Sequence, residues 1–219
     1  MAKYVERGLA LKMELQGVSP SDFKSSIDAV GAAVQSERPN LPSKTLAPDG
    51  TVTLLFTDIE GSTPLNERLG DQRWMALLKE HNALVREQLQ AHDGYEVKTE
   101  GDGFMVAFSS GRKALQCAIA IQRTFAAHDW DGQSGEDGIQ VRIGLHTGEM
   151  IQDAGDFYGK HVNLAARIAS EARGGEILVS SLLQELARSG GDIAFGDGRE
   201  VALKGLSGTQ RVFQVEWTD

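Results

Sequence analysis

The sequence predicts an α+β fold: a ferredoxin-like βαββαβ core with added C-terminal strands and a helix. Three observations predict it. Apolar or alternating runs take turns with stripes of helical period. Two alternating runs are joined by a tight Gly101-Asp102-Gly103 turn. The order is strand, helix, hairpin, helix, strand, which is the split βαβ pattern with a mostly antiparallel sheet.

Residues 51–57 (TVTLLFT) form a short apolar, β-rich run that suits a buried central strand. Asp58 follows it, and Gly61, Ser62 and Thr63 turn the chain into a helix. Trp74, Leu77, Leu78, Val85 and Leu89 then share a helical face that ends at Gly94. Tyr95, Val97 and Thr99 alternate with Glu96, Lys98 and Glu100, and Phe104, Val106 and Phe108 continue past the turn as a hairpin. Ala114, Ala118, Ile121 and Phe125 make the second helical stripe. Residues 129–138 (DWDGQSGEDG) read as a turn-rich connection, 139–146 as a strand, 162–172 as a helix and 176–180 as a strand. Short strands are expected near 193–195, 201–203 and 212–215.

The chain has 219 residues, 41% of them hydrophobic and 24% charged, the balance of a soluble globular protein. Its formal charge of −9 argues against nucleic acid or anionic lipid as a bulk partner. The lone Cys117 excludes an internal disulfide and a multi-cysteine zinc site, and fits a reducing compartment. No apolar run is long enough to span a membrane. The N-terminus lacks the unbroken apolar core of a signal peptide, so a cytoplasmic location is expected.

Residues 1–49 carry six basic and six acidic side chains, so the whole excess of acid falls on residues 50–219. The stretch 36–50 (SERPNLPSKTLAPDG) holds three of the five prolines and reads as a linker. Before it, Ser21 or Asp22 is placed to cap one helix carrying Phe23, Ile27, Val30 and Val34. The expected organisation is an N-terminal segment, 1–49, with a regulatory or dimer-supporting role, and a functional domain, 50–219.

Several residues have the types and positions to carry chemistry. A carboxylate after a buried strand, such as Asp58, suits a divalent cation or a helix cap. Asp102 fits turn chemistry, yet the split βαβ topology sets its hairpin beside the first strand, where it and Asp58 would share one site. Two carboxylates with open positions suit Mg²⁺ or Mn²⁺, which also take substrate phosphate oxygens. Asn163 and Arg167 are one helical turn apart and share a face, although Arg167 also stands four residues before Glu171, the spacing of a surface ion pair. Arg142 and Lys204 sit at strand ends, where solvated charges are usual. The five histidines include no HExxH pair and read as structural, with His146 a candidate polar wall of a site. Cys117 lies among alanines and reads as packing. Residues 155–161 (GDFYGKH) fail as a phosphate loop, with one spacer residue too few and His in place of Ser/Thr.

Together, FTDIEGST (56–63), VKTEGDGFMVAF (97–108), VRIGLHTGE (141–149), DFYGKHVNLAAR (156–167) and LKG (203–205) resemble the class III nucleotidyl cyclase catalytic domain, most like the bacterial adenylyl cyclases. The resemblance runs in order across residues 51–217. It implies that Asp58, Asp102 and the backbone carbonyl of Ile59 bind two divalent cations, Mg²⁺ or Mn²⁺. It implies that Arg142 and Lys204 contact substrate phosphates, that Lys98 and Asp156 recognise the base, that Asn163 orients the ribose, and that Arg167 stabilises the transition state. None of these positions is substituted.

Lys98 donates and Asp156 accepts, which matches adenine's N1 acceptor and N6 donor, whereas guanine presents the reverse. Glu100, two residues from Lys98, is also placed to approach the base. The resemblance therefore implies conversion of ATP to 3′,5′-cyclic AMP and pyrophosphate. It further implies a head-to-tail homodimer with composite sites, because one sequence carries both halves. The alternatives are a guanylyl cyclase and a non-catalytic nucleotide-binding module. A diguanylate cyclase ranks last, because its Gly-Gly-Asp/Glu-Glu-Phe hairpin is replaced by Gly101-Asp102-Gly103-Phe104.

Overall fold

The structure, a computed structural model, describes residues 50–130, 138–149, 151–153, 156–158 and 160–218. The helix expected at 21–34, the linker up to residue 49 and most of the 129–138 connection lie outside the described residues.

The strand run in TVTLLFT is the centre of the sheet. As β1 (Thr51–Ile59) it pairs antiparallel on one edge with β3 (Gly103–Phe108) and on the other with β4 (Val141–Glu149). β2 (Tyr95–Glu100) closes the expected hairpin with β3, with a register shift between Glu96 and Lys98. Beyond β4 the sheet continues in parallel to β7 (Ile177–Ser180), then antiparallel to β10 (Gln210–Glu216), which β8 (Ala194–Phe195) and β9 (Arg199–Val201) join. The order β2-β3-β1-β4 is the split βαβ arrangement the sequence predicts.

Two expectations need correction. Strand β1 runs through Ile59, so Asp58 is inside the strand, opposite Arg142, and does not follow it. The ladder with β3 ends at Thr57, and the ladder with β4 carries on to Ile59 opposite Val141, which extends the strand past its apolar run. Residues 151–153 and 156–158, to which the sequence assigns no strand, pair antiparallel as β5 (Ile151–Asp153) and β6 (Asp156–Tyr158). Three-residue strands are too short for alternation to register in sequence.

The helices cover both faces. Gly61, at φ 66°, makes the left-handed corner from β1 into α1 (Ser62–Leu69). α2 (Asp71–Ala91) and α3 (Gly111–Ala127), the latter capped by the Ser110 hydroxyl, pack on the face bearing Leu55, Ile59, Phe104, Val106 and Phe108. α4 (Lys160–Glu171) packs on the opposite face, against Val52, Leu54, Phe56, Met105 and Ala107. The period of two in β1 thus divides its side chains between two cores. α4 lies unusually close: a Cβ on Gly144 of β4 would stand 2.2 Å from the Ala169 backbone nitrogen. α5 (Ser181–Arg188) follows β7, its first turn capped by Ser180. Among the described residues no helix is long and apolar enough to cross a membrane.

Candidate catalytic site

At the end of β1 nearest the β2–β3 turn, the sheet gathers charge. Asp58 alternates onto the α4 face with Val52, Leu54 and Phe56, and is 1% exposed. The hairpin turn brings Asp102 to it, 4% exposed, with its Oδ2 accepting the backbone N–H of Ile59 at 3.1 Å. The ladder between β1 and β4 puts Arg142 directly opposite Asp58. Arg142 donates from Nε at 3.1 Å and from Nη2 at 2.5 Å, both to Oδ2 of Asp58. The other oxygen, Oδ1, is buried and accepts no hydrogen bond among the described residues.

Two buried carboxylates side by side are costly for each other. Burial pushes the Asp58 carboxyl up to about 8, and the Asp102 charge adds to the shift. The Arg142 guanidinium works in the opposite direction and does not offset the two. A divalent cation would reverse this balance, since it supplies positive charge and a partner for the orphaned Oδ1. Among the described residues no group of three His, Cys, Asp or Glu is placed to hold a metal. Two carboxylates and a strand-end carbonyl leave coordination positions open, which suits cations that also take substrate oxygens. The residues present therefore fit the divalent cations the sequence implies.

Of the nine candidates, the structure brings together Asp58, Ile59, Asp102 and Arg142. The other five lie on separate elements. Lys98 is on β2, half-buried, with its Nζ 3.3 Å from Oε1 of Glu100. The Glu100 that sequence places within reach of a base is therefore the neighbour of the Lys98 ammonium. Asp156 opens β6 and pairs in register with Asp153. Asn163 and Arg167 lie one turn apart on α4, each half-buried on a helix whose remaining face is packed on the sheet. Lys204 is exposed in the turn after Leu203, which is itself buried.

One cluster escapes sequence reasoning. His146, expected as a polar wall, is buried between β4 and α4. Its Nδ1 is 2.8 Å from the Ser180 hydroxyl and its Nε2 is 2.8 Å from Nδ1 of His161. The two imidazoles stack with centroids 5.0 Å apart. Burial pushes His146 down to about 4, and His161 adds to the shift. A Cβ on Gly148 would meet the His161 ring at 2.4 Å, so the glycine makes room for the pair. The Gly-x-His-x-Gly spacing in 144–148 was the available signal, since alternate small residues beside a buried histidine mark a close helix approach.

The adenylate and guanylate cyclase catalytic domain matches residues 45–216 as a family. An adenylate cyclase of Mycosarcoma maydis is 40% identical over 203 residues, covering 78% of this chain and 8% of that protein. Receptor-type adenylate cyclase GRESAG 4.1 of Trypanosoma brucei brucei is 32% identical over 225 residues, covering 82% of this chain and 18% of that protein. The chain thus spans a small fraction of the curated relatives it matches. Among solved structures, an adenylate cyclase from Trypanosoma brucei in its monomeric state superposes with a TM-score of 0.69 at 29% identity, covering 78% of this chain and 89% of that one. The adenylyl cyclase CyaB from P. aeruginosa gives 0.67 at 26% identity, covering 77% and 95%.

Proposed function

The chain belongs to the adenylate and guanylate cyclase catalytic domain family, and from that premise we propose that it is an adenylyl cyclase converting ATP to 3′,5′-cyclic AMP and pyrophosphate. The observation that carries this reading is the meeting of Asp58, Asp102 and Arg142 at the end of β1, with one buried carboxylate oxygen that has no donor among the described residues. We assign catalysis to residues 50–219, and to residues 1–49 a regulatory or dimer-supporting role.

Asp58, Asp102 and the Ile59 carbonyl would hold two divalent cations, Mg²⁺ or Mn²⁺. Such cations lower the pKa of a bound hydroxyl and neutralise charge on a triphosphate. Arg142 and Lys204 bind the phosphates as fixed positive groups. Lys98 donates to adenine N1 and Asp156 accepts from N6. Asn163 turns the ribose so that its 3′-oxygen is in line with the α-phosphorus. The 3′-O–P bond forms, the bond to the pyrophosphate oxygen breaks, and the hydroxyl proton passes to water. Arg167 donates to the α-phosphoryl oxygens as charge builds on them.

The two sets of groups belong to different elements, and we assign them to different protomers of a head-to-tail homodimer. Its sites are composite, with the metal groups from one copy and the base, ribose and transition-state groups from the other. The protein works in the cytoplasm, where ATP is available. The test is a product assay on purified dimer with ATP and with GTP, in Mg²⁺ and in Mn²⁺. Cyclic AMP from ATP is expected. Cyclic GMP alone would move the assignment to a guanylyl cyclase, and no product from either would leave a nucleotide-binding module. Mixing Asp58→Ala with Asn163→Ala chains should restore partial activity, because one site of the heterodimer keeps both halves. No rescue in a verified heterodimer contradicts the composite site.

A further inference from the structure

We propose that Arg142 is a built-in counterion of the cation site: it has to release Asp58 before a divalent cation binds there, and a bound triphosphate draws it away. The geometry comes from the sheet itself. Asp58 and Arg142 are facing partners in the antiparallel β1–β4 ladder, so the guanidinium needs only to fold across one strand spacing to reach the carboxylate. Both of its bonds to Asp58, from Nε and Nη2, go to the same oxygen, Oδ2. One lobe of the carboxylate is therefore filled by a charged donor pair, while Oδ1 is buried and accepts no hydrogen bond among the described residues.

A divalent cation approaching Asp58 meets that positive guanidinium at contact distance. Arginine does not lose its charge at any working pH, so the conflict cannot be relieved by deprotonation. It is relieved by movement. Asp58 is sealed in at 1% side-chain exposure, but Arg142 keeps 18%, so its head reaches the solvent boundary where a substrate would lie. The guanidinium has five N–H donors and a planar fork that matches phosphate oxygens as well as carboxylate oxygens. A triphosphate offers it more negative charge than the Asp58 oxygen it leaves.

The same residue therefore competes with the metal when nucleotide is absent and binds phosphate when nucleotide is present. Coupling of this kind is reciprocal: whatever draws Arg142 from Asp58 tightens cation binding, and cation binding frees Arg142 for phosphate. The two carboxylates are kept from loading with metal until substrate arrives. The triphosphate half of this inference rests on the adenylyl cyclase reading; the competition with metal does not.

The test is Mn²⁺ binding by the full chain, read by electron paramagnetic resonance of the free ion, in nucleotide-free protein and then with saturating α,β-methylene ATP. Asp58→Asn defines the loss of the site. Arg142→Gln is expected to bind Mn²⁺ about tenfold or more tightly than the unaltered chain without nucleotide, within the usual range of coupling between sites. The gap is expected to close when the analogue saturates both. Equal or weaker Mn²⁺ binding by Arg142→Gln without nucleotide overturns the competition. A gap that persists with the analogue overturns the triphosphate exchange. Mn²⁺ binding that Asp58→Asn leaves unchanged overturns the cation site itself, and this proposal with it. Should Arg142→Gln fail to fold, Arg142→Met carries the same comparison, because it removes the charge and both donors and keeps a side chain of similar length.

Discussion

On one face of the sheet, α2 and α3 lie over Leu55, Phe104, Val106 and Phe108, and the layer between is filled by large apolar side chains, with Phe125 and Trp130 among them. On the other face, α4 meets Val52, Leu54 and Phe56 through Ala165, Ala166 and Ala169, and comes down onto Gly144 and Gly148. Asp58, Arg142, His146 and His161 all belong to this second face. Bulk holds the first face together, with His81 packed among its aromatic rings. On the second, small residues set a spacing, and that spacing makes room for polar groups to face one another. The helix on that face also carries Asn163 and Arg167, so its distance from the sheet sets where the proposed catalytic groups stand.

Substitutions on the two faces should therefore fail differently. Phe108→Ala, on the bulky face, should lower unfolding free energy by about 3–5 kcal/mol in denaturant titration and leave turnover of the folded fraction intact. A loss of turnover at full folding would break the division. Arg167→Ala should do the opposite, reducing turnover by about 10²–10³ with little change in ATP affinity or melting temperature. An effect confined to affinity would reassign Arg167. Gly144→Ala should do both, since the Ala169 backbone cannot step aside: a loss of about 1–3 kcal/mol in stability, with turnover falling as α4 is lifted. Full activity in that variant would show that the spacing of α4 is not what positions the site.

The smallest effect at neutral pH belongs to His146. Its folded pKa, about 4, lies below its ordinary value of 6.5, so the unfolded chain binds the proton more readily. Its contribution to stability is complete above 6.5 and is lost as pH falls toward 4. Unfolding measured across that range should show a slope that His146→Asn flattens. An unchanged slope would place the acid sensitivity elsewhere.

Much of this was legible in the sequence, and the reason differs by element. The apolar run at 51–57, the alternation at 95–108 and the helical stripes carry their period in side-chain order, so strand, hairpin and helices could be read directly. The adjacency of Asp58 and Asp102 followed from topology. The Arg142–Asp58 pairing did not, because it depends on the register of two strands separated by more than eighty residues, and register leaves no mark on either strand alone. The His146–His161–Ser180 relay was missed for a similar reason: its members come from a strand, a helix and a helix cap, each plausible singly as a structural residue. The β5–β6 pair leaves no mark in the sequence, because three residues cannot display a period.

The position of β1 has a further consequence for how the chain comes into being. It is the first described strand to leave the ribosome and the one that the sheet closes around. Its ladder with β3 awaits residues 103–108, and its ladder with β4 awaits residues 141–149. The apolar run Thr51–Thr57 is therefore synthesised long before either edge has a partner, and non-local pairing of this kind is slow. Nascent and refolding chains pass through a stage in which a flat, apolar strand is open on both edges, the form most prone to pair with another copy. The strand that holds Asp58 at the centre of the finished molecule is the same one that makes its birth hazardous.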